Sequence, residues 1–400
     1  MTKNGYRELF SSPGFVRVVG SQLFARFPFG MMSLALVMHI QHIYGNYTTA
    51  GLALGAETIG ASLSNPLLGR MMGNYGIRKI LLPSAVISAL AVFAVTFVSG
   101  SEALTVMLAL LIGVFSPPVQ AAARTVYPTI VKKRQLPLLF SFDAASQEII
   151  WVIGPVLATI LAAQYNTYVP VITMGVLQIL GAISFVANPE VSTAKIPKST
   201  RRMGGVLKNK VLVLNIALGM LLIGSFSGVE VGTVAIFPKS LAGGLMAMLS
   251  IGSLIGGFAF GKRTQGRYAL ISFLSLTTLG YGLVLVAPEN PCWVAFCWFL
   301  AGLGVAPVLG ILGTMISVTV KLSDTAEAFG WAGTGQLIGY SVGAALAGIM
   351  IDTIAPTAAV GIAAVLGLST LILAISTLKI APDLKAAANT DTKGITIVEE

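Results

Sequence analysis

Five ionisable residues stand inside otherwise apolar stretches: Arg26, Glu57, Glu148, Glu230 and, closer to one end of its stretch, Asp143. A charge held in a lipid-embedded helix is costly, so those that persist there pair with one another, line a polar path or carry protons. Arg26 and Glu148 each lie about ten residues into their stretch, near the middle of a span by helix rise. Two readings of them stand side by side. An Arg26–Glu148 ion pair would hold two helices in register. Alternatively, Glu148 carries a coupling proton, binding and releasing it as a cationic partner comes and goes. Glu57 and Glu230, nearer the outer face, are candidates for a second proton site, a solute contact or a water-facing position at a cavity rim. Asp143 is placed to neutralise Arg124 and the basic turn at Arg70 and Arg78.

Other chemistry finds little support. His39 and His42 are three apart, but the sequence supplies no third metal ligand, and interfacial anchoring is the simpler reading. Gly256 to Lys262 begins like a phosphate loop, yet Arg263 replaces the magnesium-binding hydroxyl and no strand precedes it. Cys292 and Cys297 are too close on one helix to pair. No enzyme, cofactor or metal site is expected, so work against a gradient must draw on another gradient.

The elements that position these residues follow from composition. The chain is 55% hydrophobic and only 10% charged, with mean hydropathy +0.86, which points to lipid as the solvent. A ruler of about 20 residues gives twelve spans, near 15–40, 48–70, 79–99, 103–125, 138–162, 167–187, 211–237, 241–261, 268–287, 292–318, 328–350 and 356–378. All must be helical, because an open sheet edge is unsatisfied in lipid. Pro117, Pro118 and Pro307 suggest kinks in spans four and ten. The polar N-terminus leads into an uncleaved first span. The expected division is a six-helix bundle over 1–187, a linker over 188–210, a second bundle over 211–378 and a disordered tail over 379–400.

The net charge is +10, but its placement argues for topology rather than nucleic-acid binding. Of the 25 basic residues, all but Arg26 and Lys239 fall on the side that holds both termini. By the positive-inside rule that side is the cytoplasm. The chain also repeats. A shift of 192 (261 minus 69) aligns Ala50, Gly51, Ile59, Gly60 and Gly69 with Ala242, Gly243, Ile251, Gly252 and Gly261. A shift of 189 (302 minus 113) aligns Gly113, Pro118, Phe140, Gln147 and Gly154 with Gly302, Pro307, Phe329, Gln336 and Gly343. Parallel repeats of this kind build two related halves around a central path.

With the turn Gly69 to Lys79, these features resemble the major facilitator superfamily. Gly69, Gly76, Arg78 and Lys79 match its signature between the second and third helices, whereas Gly73 replaces the usual acid and Asn74 the usual base. Asp143 is therefore the nearest candidate for the latch acid, alongside Arg124. Gly154-Pro155 matches the family's antiporter signature, with Ile150 breaking the small-residue ladder upstream. The resemblance implies an all-α fold of two pseudo-symmetric six-helix bundles and a cavity lined by helices one, four, seven and ten. It nominates Arg26, Phe27, Phe29, Met32, Gln120, Phe226, Glu230 and Trp298. Such a lining, rich in aromatics and Met, suits an amphipathic or aromatic solute better than a sugar. The implied protein is a monomeric, proton-coupled efflux carrier of the cytoplasmic membrane, its partners a small-molecule solute, protons and the bilayer. The alternatives are a nutrient carrier on the same fold and a non-transporting sensor or scaffold.

Overall fold

A computed structural model describes residues 4–194, 202–261, 266 and 268–384. Its helices are α1 Asn4–Phe10, α2 Phe15–Tyr44, α3 Tyr47–Tyr75, α4 Ile77–Phe97, α5 Glu102–Val114, α6 Val119–Ile130, α7 Leu136–Gln164, α8 Tyr168–Val186, α9 Pro189–Ser192, α10 Lys210–Ile236, α11 Lys239–Phe260, α12 Ala269–Val284, α13 Pro291–Thr319, α14 Leu322–Thr353 and α15 Ala358–Ser376. Ten helical stretches among the described residues are long and apolar enough to cross a membrane. The more polar α3 and the shorter α12 complete twelve spans, with α5 and α6 sharing the fourth.

Side-chain caps start several of these helices. Asn46, Ser101, Asn209 and Asn290 accept from backbone N–H groups of the following turn, satisfying donors that a helix start leaves open. Gly76 joins α3 to α4 at φ +93°, a conformation side-chain-bearing residues avoid. The fourth span is not continuous as expected: the helix breaks over Phe115–Pro118, because consecutive prolines remove two donors. Pro307, by contrast, sits within an unbroken α13.

Helices α2–α8 pack as one bundle and α10–α15 as another, meeting chiefly through α3 with α14 and α7 with α11 and α13. The repeat is visible atom by atom. Gly60 backs onto the Leu110 carbonyl as Gly252 does onto that of Phe299. Gly113 backs onto the Glu57 carbonyl as Gly302 does onto that of Leu249. Gly30 and Gly154 bring α2 against α7, and Gly224 and Gly343 bring α10 against α14. At each crossing a Cβ would strike the opposing backbone, so small residues set the helix separation. The antiporter-like Gly154-Pro155 segment therefore serves this packing.

The short helix α1 was not anticipated. Leu9 is fully buried, Arg134 pairs with Glu8, and Phe10 and Phe15 stack edge-on with Phe142. The middle connection includes residues 195–201, outside the described residues. Its described parts pack down, with Val191 and Val206 buried and Arg17 bonded to Glu190 at 2.5 Å. Leu384, within the expected tail, is likewise buried against the second bundle; residues 385–400 lie outside the described residues.

Candidate functional site

At the face where the described chain begins and ends, at Asn4 and Leu384, the bundles close on each other. Arg70 Nη1 on α3 reaches Glu327 Oε2 on α14 at 2.8 Å. Glu327 also accepts from the Gly204 N–H at 2.7 Å and from Trp331 Nε1 at 3.4 Å. Gly69 packs against the backbone of Ala326, and a Cβ on Gly73 would lie 3.2 Å from the Ser323 carbonyl. Deeper in, Thr334 Oγ1 donates to the Ser62 carbonyl at 2.6 Å. On the other flank Tyr6 of α1 donates to the Phe258 carbonyl of α11 at 2.5 Å. Burial pushes the Tyr6 hydroxyl up to about 12, which keeps it a donor. Between the flanks, Phe140 and Phe329 meet at 6.0 Å between ring centroids.

This closure differs from the sequence expectation. Asp143 pairs with Arg124 and not with Arg70, which pairs with Glu327. Helix α14 begins six residues earlier than the span predicted from 328, which brings Asp324 and Glu327 onto it. Arg78 and Lys79 are exposed.

Just beyond the closure lies a polar network held by α2, α6 and α7. Asp143 is 1% exposed and accepts four bonds. Oδ1 takes Gln22 Nε2 at 3.0 Å and the Tyr127 hydroxyl at 2.8 Å. Oδ2 takes Arg124 Nε at 3.2 Å and Gln147 Nε2 at 3.0 Å. Arg26 Nη2 donates to Gln147 Oε1 at 2.7 Å, and its Nη1 to Gln22 Oε1 at 3.4 Å. Gln120, in the amide orientation its neighbours require, accepts from Arg124 Nη2 at 2.8 Å and Nη1 at 3.1 Å. Arg124 also stands 5.8 Å from the ring centroid of Phe329 in the second bundle, within cation–π range.

The expected Arg26–Glu148 pair is not formed. Glu148 is the next residue after Gln147, and helical geometry turns it away from Arg26 and toward the other bundle. There Ser253 of α11 donates to its Oε1 at 2.8 Å. The remaining acids have local partners: Thr58 donates to Glu57 at 3.4 Å and Tyr340 to Glu230 at 2.7 Å. Of the nominated lining, Phe27, Phe29, Gln120 and Phe226 are partly exposed. Met32 and Trp298 are core residues instead. Met32 is buried in the first bundle, and Trp298 is fully buried in the second, donating to Thr233 at 3.1 Å. His39 is also interior, bonded to the Thr96 carbonyl at 3.2 Å.

Residues missed by sequence reasoning are Gln22, Tyr127, Gln147 and Glu327. Gln147 was visible as a repeated position without a role. Glu327 had one readable signal, an acid on the otherwise basic side of the membrane.

The repeat isolates the network as a departure from symmetry. The shift of 189 takes Arg124, Tyr127 and Asp143 to Gly313, Ile316 and Ala332. The matched crossings at Gly30 and Gly224 take Gln22 and Arg26 to Ile216 and Met220. Both halves keep the scaffold contacts, and the charged chemistry belongs to the first.

Beyond the level of Gln147 and its counterpart Gln336, both interface helices become exposed. On α7 this includes Trp151, 57% exposed, and on α14 it includes Ile338, Tyr340 and Val342. The molecule is thus closed at the face of its termini and splayed at the far face.

No curated protein matches the chain by sequence. Among solved structures, it is similar to a bacterial homologue of the iron transporter ferroportin in an outward-facing state, with TM-score 0.75 and 13% identity over 90% of this chain and 98% of the other. The outward-facing bacterial ferroportin homologue with soaked iron gives TM-score 0.71 at 13% identity, over 90% and 98%. The human organic anion transporter MFSD10 (TETRAN) gives TM-score 0.67 at 13% identity, over 89% and 98%. At such identities these likenesses establish the fold. The sequence model of the Major Facilitator Superfamily matches residues 18–264 and 237–397. Twelve spans in two related bundles, a closure at one face and this match together make the chain a multi-pass membrane-transport protein that belongs to the Major Facilitator Superfamily.

Proposed function

We propose that this protein is a proton-coupled carrier that moves an amphipathic organic solute outward across the cytoplasmic membrane by alternating access. The observation that carries the reading is the asymmetry of closure. Buried ionic and backbone contacts seal the face of the termini, while the far halves of α7 and α14 are splayed. The basic residues concentrated beside the termini support a cytoplasmic assignment for the sealed face, and with it an outward-open reading of this arrangement. Partly exposed Phe27, Phe29 and Phe226 support an apolar or aromatic solute. Iron, named for two of the structural neighbours, has less support, since no three His, Cys, Asp or Glu side chains converge among the described residues.

Glu148 is the residue best placed to couple. Its bond to Ser253 crosses from one bundle to the other near the middle of the span. Rocking must alter that bond, so the carboxyl meets different surroundings in the two states, which is the requirement for binding a proton in one and releasing it in the other. The test uses purified protein in liposomes loaded with a pH-sensitive dye. Solute counterflow should be accompanied by a pH change in the wild type. Glu148→Gln should retain exchange of solute for solute yet lose pH-driven accumulation. Solute movement without any pH response removes proton coupling, and accumulation by Glu148→Gln removes Glu148 from that role.

A further inference from the structure

Charge balance in the first bundle carries one step more. Arg26, Arg124 and Asp143 form one cluster, with two guanidiniums and a single carboxylate. Both Asp143 oxygens already take two donors each, from Gln22, Tyr127, Arg124 and Gln147. Arg26 bonds instead to two neutral amide oxygens. It is only 9% exposed, and a desolvated guanidinium favours an anion over a neutral acceptor. Its neighbour in the sequence of acids, Glu148, is turned to Ser253 of the second bundle. The cluster therefore holds a surplus positive charge.

Its position is equally specific. Helix α7 touches the second bundle at Ser141 and Ala145, which face Gly310 and Gly257. One turn later it is exposed at Ile149 and Trp151. Gln147, the main partner of Arg26, marks the step between the two. Arg26 thus lies at the floor of the far-side opening, with partly exposed Phe29 one turn away on α2. Its 3.4 Å bond to Gln22 is long and is readily exchanged for a stronger acceptor.

We propose that Arg26 and Gln147 form an anion-recognition subsite, and that the solute is an amphipathic monoanion whose carboxylate docks on Arg26 while its apolar part lies toward Phe29. This rests on the carrier reading above and names the charge class of the solute. A carboxylate fits the guanidinium fork in a bidentate manner, and its single charge balances the cluster. A cationic solute would meet the surplus charge at the floor and be repelled.

The test pairs three probes of one shape: phenylbutyrate, phenylbutyramide and phenylbutylamine. Binding is read by thermal shift and by tryptophan quenching on the full chain in nanodiscs. Phenylbutyrate should bind the wild type at least tenfold more tightly than the amide, and the amine more weakly still. Arg26→Gln should erase the preference for the anion over the amide, while Arg26→Lys should keep part of it. A readout without ligand separates recognition from scaffolding. Arg26→Gln removes the surplus charge, so the unliganded variant should melt no lower than the wild type. Equal binding of the three probes, binding of none, an unchanged preference in Arg26→Gln, or a clear fall in its melting temperature each overturns the proposal. The carrier reading is judged separately by transport in liposomes. Transport of a neutral or cationic solute that survives Arg26→Gln leaves the carrier standing and removes the subsite, whereas anion binding without transport does the reverse.

Discussion

Glu327→Ala should open the face that carries α1 and drive the population away from the closed arrangement seen there. Glu327 is the point where three parts of the chain meet: Arg70 from the first bundle, α14 from the second and Gly204 from the connection between them. The carboxylate side chain is 3% exposed and that of Arg70 16%. Removing one partner of such a buried pair costs on the order of 3 kcal/mol. If that energy acts only in the closed arrangement, the ratio of closed to open falls by about a hundredfold. Glu327→Gln should fall between, because an amide oxygen still accepts from Gly204 while the charge facing Arg70 is gone. The measurement is a distance distribution between spin labels on the terminal ends of α3 and α14, with Cys292 and Cys297 replaced. A distribution unchanged from the wild type in Glu327→Ala would show that the backbone contacts at Gly69 and Gly73 hold the face closed by themselves.

The second large effect is on folding. Asp143→Ala leaves four donors without their common acceptor and two guanidiniums without a carboxylate. Loss of one partner from a buried charged network costs about 3–5 kcal/mol, a large fraction of the stability of an ordinary domain. The variant should be recovered poorly and unfold well below the wild type, as read by thermal denaturation in detergent. Asp143→Asn should be milder, keeping one acceptor oxygen while turning an amide N–H₂ toward donors. Adding Arg26→Gln to Asp143→Ala should restore part of the loss, since residues in one network couple. An Asp143→Ala protein as stable as the wild type would mean that water replaces the carboxylate at little cost.

The fold was legible because its causes are written locally. Span length, the clustering of Lys and Arg and the small residues at matched offsets each act through backbone or bilayer geometry. The repeat offsets of 192 and 189 translate into the same glycine-to-carbonyl contacts in both halves. The site was legible only in part. Sequence shows that Arg26 and Glu148 are at similar depth, and depth alone suggested a pair. Which way each points depends on rotation about the helix axis, fixed by the Gly30–Gly154 crossing. That rotation gives Arg26 to Gln147 and sends Glu148 to Ser253. Glu327 was lost for a different reason: α14 begins at Leu322, well before its apolar stretch, so hydropathy placed the acid in a loop. Trp298 shows the limit of assigning a cavity by helix number, because a helix that lines a path also has a face turned into its own bundle.

The two crossings, Gly30 with Gly154 and Gly224 with Gly343, have a mechanical consequence. Backbones in direct contact cannot slide past one another, so α2 with α7, and α10 with α14, behave as stiff beams. Take the level of Gln147 and Gln336 as the pivot of a see-saw. Glu327 is nine residues (336 minus 327) from Gln336, about 14 Å from that pivot, and a tilt of about 10° moves it by about 2 Å. Contacts far from the pivot, such as that of Glu327 on α14 with Arg70 on α3, are therefore either made or broken. Those beside the pivot, Glu148 with Ser253 and Arg26 with Gln147, are only re-aimed. On such a beam the outer contacts work as catches, and the inner groups register the tilt.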